Sequence, residues 1–262
     1  MSELLIKPAA AVAAAGASKA LEKIGKSKGF DRLLNVFRKK HRILVLGATG
    51  AGKSNFLHSL AESAPATIDA MNRTEFAQKH SLKISQNLFV FVDTPGQAKH
   101  KPRRIQAIRE AMSANISGIV NVVAYGYHEA RASKKDALTE DGQVRQEFLA
   151  ARRNEEIAQL HEWTPLLGDR ETGGWLITLV TKADLWWDRR EEVLAHYEAG
   201  TYFAALGDAQ SLSPSVVEYS SVFHRFYGDC PICGFFDDGD RDRVKANLIA
   251  QLLAAIGKGE LE

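Results

Sequence analysis

The chain has 262 residues, 45% of them hydrophobic, with 34 basic against 32 acidic side chains for a net charge of +2. That length and apolar fraction suffice for one sizeable α/β core plus an extension. The near-neutral balance argues against a protein whose main task is to hold RNA or DNA on a broad basic surface, so there is no clear nucleic-acid signal.

Residues 1–40 precede the first core pattern and differ from it in character. The Ala-rich stretch 9–20 is too weakly apolar to span a bilayer, and Lys7, Pro8 and Lys19 interrupt its neighbourhood. It lacks the basic start and Leu-rich centre of a cleaved leader. Neither Ser2 nor the run Glu260, Leu261, Glu262 fits a lipidation motif, so a cytoplasmic location is the expectation. Phe30, Leu33, Leu34 and Phe37 repeat at i, i+3, i+4 and i+7 and predict one apolar helical face. Arg32, Asn35 and Arg38 lie opposite, with Lys39, Lys40 and Arg42 following. Such a helix either packs on the domain or makes a peripheral contact with an anionic membrane surface or a partner protein.

Residues 42–46 read as a buried strand and 53–61 as a helix. Between and into them run Gly47, Ala48, Thr49, Gly50, Ala51, Gly52, Lys53 and Ser54, which match the phosphate-loop spacing G-x-x-x-x-G-K-[ST]. Small residues let successive backbone N–H groups curl around phosphates, while the next helix presents its positive end to the same charge. Lys53 then reaches the terminal phosphates and Ser54 ligates Mg²⁺.

Residues 78–84 and 88–92 predict a hairpin turning at Ser85, Gln86 and Asn87. Its second strand ends in Asp93-Thr94-Pro95-Gly96-Gln97. A carboxylate at that edge can hold Mg²⁺ through water, and Gly96 lets its N–H approach a γ-phosphate, which gives a segment able to differ between triphosphate and diphosphate states.

A helix over 104–114, a strand over 118–123, a helix over 143–162 and a strand over 175–180 follow. Residues 125–141 and 163–174 read as insertions: candidate effector surfaces or long solvated loops. Thr181-Lys182-Ala183-Asp184 comes directly after an apolar strand. Asp184 there can accept hydrogen bonds from the N1–H and 2-amino group of guanine, which adenine lacks, while Lys182 packs its stem along the base. A helix over 188–197, a strand over 215–219 and a closing helix over 241–256 complete the chain. The pattern predicts a mostly parallel six-stranded sheet with one antiparallel edge strand, helices on both faces and a nucleotide at the carboxyl ends of the strands. Cys230 and Cys233, spaced C-x-x-C downstream of His224, are half a zinc pattern; a turn with reduced thiols is the simpler reading.

In this order the motifs resemble the P-loop GTPases of the translation-factor and Ras-like (TRAFAC) class, with Era-like and Ras-like features, from about Arg42 to the C-terminal helix. The resemblance implies a three-layer GTPase domain over 41–262 with 1–40 as an N-terminal helical extension, binding GTP or GDP with Mg²⁺. It implies that Asn55 joins the phosphate-loop contacts. It implies a switch threonine that ligates Mg²⁺ with Ser54 and Asp93; Thr67 and Thr74 both qualify, and Thr74 leaves the better room for the hairpin. Gln97 looks like the water-orienting glutamine, acting with Lys53 in catalysis. Ser220, Ser221 and Val222 are similar to the base-contacting loop, which in the class is more often Ser-Ala-Lys. Arg103, Arg104 and Arg131 are candidates for a finger by position only, and a solvated surface charge is the simpler reading of each. The expected function is GTP hydrolysis as a molecular switch with a protein effector or activator. The alternatives are a non-hydrolysing GTP-binding scaffold and an ATP-using P-loop protein.

Overall fold

The computed structural model describes residues 39–60, 78–84, 87–94, 100–114, 116–129, 133–167, 174–223, 225–228 and 235–258. Six strands form one sheet in the order β2-β3-β1-β4-β5-β6. They are β1 (Lys39–Gly47), β2 (Gln78–Ile84), β3 (Asn87–Asp93), β4 (Gly118–Val123), β5 (Trp175–Val180) and β6 (Pro214–Glu218). Only β2 runs antiparallel, against β3; the other neighbours pair in parallel. Parallel pairing requires crossovers, and the helices between strands supply them. The helices described are α1 (Lys53–Leu60), α2 (Lys101–Ser113), the short α3 (Lys134–Ala137), α4 (Gln146–Trp163), α5 (Arg190–Ala199), α6 (Thr201–Ala205) and, after the last strand, α7 (Asp238–Lys258).

Alternation along β1 divides the core. Ile43 and Val45 join Phe56 and Leu57 of α1 and Leu248 and Leu252 of α7. Leu44 and Leu46 join Ile108 of α2, Leu149 and Leu160 of α4, and Tyr197 of α5 on the opposite face. Every residue of β4 and β5 is buried, as strands covered on both faces require. Gly118 sits opposite Trp175 in the register, and a Cβ there would lie 2.2 Å from the indole, so this glycine makes room for the large ring. The predicted α/β architecture and its antiparallel edge strand are both present. Among the described residues no helix is long and apolar enough to cross a membrane.

The boundaries shift where local hydrogen bonding takes over. The helix expected from 143 starts at Gln146, because Leu138 bridges Val144 and the Arg145 N–H donates to the Ala137 carbonyl at 2.9 Å. The helix expected from 188 starts at Arg190, after two single 3₁₀ turns at Ala183–Leu185 and Trp187–Arg189. The stretch 125–141 is not uniformly a solvated insertion: Tyr125, Tyr127 and His128 are buried, whereas residues 133–136 are exposed. Its first half is drawn inward by a carboxylate of α4, described below.

Candidate functional site

The strand-to-helix turn after β1 is shaped by left-handed glycines. Gly47, Gly50 and Gly52 have φ of 134°, 82° and 92°. A Cβ on Gly47 would stand 2.1 Å from the Val122 carbonyl oxygen, so neither the dihedral nor the space admits another residue. The Phe56 N–H donates to Gly52 O at 2.9 Å as α1 begins. Buried Lys53 folds back into the turn, donating to the carbonyls of Gly47 at 2.8 Å and Ala48 at 3.1 Å. Burial lowers its pKa, the negative charge of Asp93 opposes that, and Arg104 adds to the lowering.

Asp93 closes β3, is 1% exposed and stands opposite Val45 of β1. The next residue, Thr94, donates from Oγ1 to Val45 O at 2.9 Å, which ties the end of β3 to the strand feeding the phosphate loop. Thr49 Oγ1 is buried in the loop without a hydrogen-bond partner among the described residues. A loop with left-handed glycines, an enclosed cation and an orphan hydroxyl at a helix N-terminus has the donor chemistry of a phosphate cradle. The half-buried Ser54 and the Asp93 carboxylate are oxygen donors suited to a hard cation.

The same sheet edge continues at β5 and β6. Thr181 donates from Oγ1 to Ala51 O at 2.6 Å and approaches Val123 O at 3.0 Å, so its hydroxyl braces the phosphate loop against β4. Among the proposed binding residues, Thr181 therefore acts through the protein. Trp186, fully buried, donates from its indole N–H to Thr181 O at 2.9 Å and holds that corner from below. Lys182 is left-handed at φ 59° and donates from Nζ to Tyr127 O. Burial lowers its pKa, while the charges of Glu129 and Asp184 raise it. Asp184 is 1% exposed and accepts a hydrogen bond from Ser220 Oγ at 2.7 Å. The Ala183 N–H donates to Tyr219 O at 3.1 Å, bringing the segments after β5 and β6 together with Ser221 and Val222 alongside, both half-buried.

The structure thus gathers Gly47, Ala48, Thr49, Gly50, Ala51, Gly52, Lys53, Ser54, Asp93, Thr181, Lys182, Asp184 and Ser220 along the carboxyl ends of β1, β3, β5 and β6, with Asn55 in the first turn of α1. Thr67, Thr74, Gly96, Gln97, Arg131, His224, Cys230 and Cys233 lie outside the described residues, as does the apolar face at 30–37. Of the arginines, Arg103 is exposed. Arg104 is 4% exposed and pairs with Glu162 of α4, so it is a buried structural cation beside the loop and not the solvated surface charge its position suggested.

Sequence reasoning missed a buried polar network behind this edge. Glu156 of α4, 3% exposed, accepts from the Ala124 N–H at 2.9 Å and from Tyr197 Oη at 2.7 Å, and its Oε1 lies 2.8 Å from His128 Nε2. Tyr197 Oη in turn accepts from the Tyr125 N–H at 2.8 Å. Burial raises the Glu156 pKa, but His128, the Ala124 N–H and Tyr197 together outweigh it and hold the carboxyl below its ordinary range. One carboxylate thereby folds the loop after β4, including left-handed Tyr125 (φ 49°) and Gly126 (φ 84°), into the position from which Tyr127 O receives Lys182.

The family model described as 50S ribosome-binding GTPase matches residues 42–159. No curated protein matches the chain. The match places residues 42–159 in the TRAFAC-type P-loop GTPase class, whose ligand is a guanine nucleotide. The matched span contains the phosphate loop and Asp93, while Thr181, Asp184 and Ser220 fall beyond it and stand on their geometry.

Proposed function

We propose that this protein hydrolyses GTP to GDP and phosphate with Mg²⁺ and works as a molecular switch. The observation that carries the reading is the convergence, on one sheet edge, of a glycine-built phosphate loop enclosing Lys53, the buried Asp93 and the Asp184–Ser220 pair. Backbone N–H groups and Lys53 would hold the phosphates and stabilise charge that builds on them in the transition state. Mg²⁺, when bound, would neutralise the β- and γ-phosphates; Ser54, Asp93 and, by sequence, Thr74 would hold it. Gln97 would orient the attacking water. Asp184, kept in place by Ser220, would accept from the guanine edge and reject adenine.

The output is proposed to run through a protein effector or activator, with residues 1–40 and the exposed half of 125–141 as contact regions. A cytoplasmic protein touching a membrane peripherally through its N-terminal extension fits the basic run at its end.

The purified chain should bind GTP and GDP but not ATP, and release phosphate from GTP only with Mg²⁺. Asp184→Asn should weaken guanine-nucleotide binding by about 10- to 100-fold, the loss of two charge-assisted hydrogen bonds. Equal affinity for ATP and GTP in the wild type, or an unchanged GTP affinity in Asp184→Asn, would sink the guanine assignment. Tight GTP binding with no turnover under any activator would make the protein a GTP-bound scaffold.

A further inference from the structure

Lys182 is supported from two sides by segments remote in sequence. Its ammonium donates to Tyr127 O and lies 5.8 Å from the centroid of the Phe226 ring. Phe226 is fully buried, edge-on to Tyr127 at 5.3 Å and to Tyr227 at 4.9 Å. It follows the candidate base-contacting loop 220–222 by only four residues.

The chain there makes a tight turn, with the Gly228 N–H donating to Arg225 O at 2.8 Å. Tyr227 sits in it at φ 52°, a conformation that costs an aromatic residue on the order of 1 kcal/mol or more and persists only when neighbours impose it. Glu129 imposes it twice. Its carboxylate Oε1 accepts from the Tyr227 N–H at 2.6 Å, and its backbone carbonyl accepts from the Tyr227 phenol at 3.1 Å. Tyr227 is thus fastened by its main chain and by its phenol to one residue, two positions beyond the carbonyl that receives Lys182.

We propose that residues 225–228 are a clip that ties the base-contacting loop to Lys182, and that Glu129 and Tyr227 are positioning residues that set the rate of guanine-nucleotide release. The inference rests on the guanine-site reading above. With the clip closed, Phe226 is held beside Lys182 and anchors the chain that leads out of 220–222. With it open, both walls of the base site lose that support together, while the phosphate loop, braced by Thr181 on Ala51 O, is untouched.

The full chain is loaded with fluorescent GDP, and release is followed after adding excess unlabelled GDP. Glu129→Ala and Tyr227→Ala should each release GDP about 5- to 10-fold faster, as expected for one lost hydrogen bond apiece. Glu129→Gln, which keeps an acceptor for the Tyr227 N–H, should return the rate to within about 2-fold of wild type. That rescue distinguishes positioning from general loosening, as does single-turnover GTP cleavage, which should stay unchanged in all three. If Tyr227→Ala does not fold, Tyr227→Phe decides: the ring stays, the bond to Glu129 O goes, and release should still quicken by about 3-fold or more. Wild-type release rates in folded Glu129→Ala and Tyr227→Phe would overturn the clip alone. A wild type that binds no guanine nucleotide would overturn the underlying site reading.

Discussion

The phosphate end of the site and the wall behind β4 are built on opposite principles. Around Gly47 to Ser54 the contacts are nearly all main chain, and side chains matter mostly by their absence: glycines at φ 134°, 82° and 92°, and one lysine returning to its own loop's carbonyls. Behind β4 the contacts are side chains brought from far apart, with Glu156 meeting His128, Tyr197 and the Ala124 N–H across separations of 28, 41 and 32 residues. A main-chain site can be specified by a short local pattern, whereas a side-chain network exists only once α4 and α5 have docked. The first region should therefore carry chemistry with little share in stability, and the second stability with little share in chemistry.

The largest effect should come from the second region. Glu156→Ala would leave buried His128 without its carboxylate and the Ala124 and Tyr125 segment without its acceptor, and breaking a buried pair from one side costs about 3–5 kcal/mol. Chemical denaturation should show that loss at neutral pH, while the protein that stays folded keeps near-normal single-turnover GTP cleavage. The same group sets an acid limit. Because its folded-state pKa lies below the ordinary glutamate value of about 4.3, its contribution is complete above that pH and disappears as pH falls through the lower folded value. The stability difference between wild type and Glu156→Gln should accordingly be constant from neutrality to about pH 5 and shrink below it. A difference that grows on acidification would show that the carboxyl is already protonated in the folded protein.

The complementary test lies in the loop. Lys53→Ala should slow GTP turnover by roughly 10²–10³-fold, the usual cost of removing one preorganised group that stabilises transition-state charge. Its thermal midpoint without nucleotide should hardly move, since among the described residues the ammonium donates to carbonyls of its own loop and its burial already disfavours the charge. If Lys53→Ala unfolds the chain, or Glu156→Ala abolishes turnover in folded protein, the division of labour between the two regions is wrong.

This contrast also explains what could be read from the sequence. β4 and β5 were bounded to the residue because their apolar runs are uninterrupted, and the phosphate loop, Asp93 and Asp184 stood out because each residue type is needed at a fixed place beside a strand end. Glu156 gave no such sign. Beside exposed Glu155 in a charged helix it looks like another solvated acid, although it lies on the stripe of Leu149, Leu160 and Trp163, the one feature that could have marked it as buried. Glu129 and Tyr227 were equally silent, since their bond joins residues 98 apart and neither sits in a recognisable pattern. The part played by Thr181 was half visible: its place beside Lys182 and Asp184 at the end of β5 could be read, but the direction of its hydroxyl toward Ala51 could not.

Ser220 lies on the border between the two regions and offers the finest test of the comparison. It follows β6 as part of a local motif, yet what it does is a side-chain contact 36 residues back, its hydroxyl donating to Asp184 Oδ1 at 2.7 Å. Ser220→Ala removes that donor but leaves Asp184 aimed by its own 3₁₀ turn, Ala183–Leu185, whose first N–H is fixed on Tyr219 O. A single hydrogen bond to a charged group, partly replaced by water or by the base, should cost about 1 kcal/mol, or roughly 5-fold in GDP affinity. Inosine diphosphate lacks the 2-amino group and so gives Asp184 one donor fewer, and its affinity should fall by a similar factor if Ser220 only holds the carboxylate in place. A larger loss for GDP than for IDP would instead mean that Ser220 tunes the oxygen facing the 2-amino group, and the motif's chemistry would then extend into a side-chain contact that no local pattern encodes.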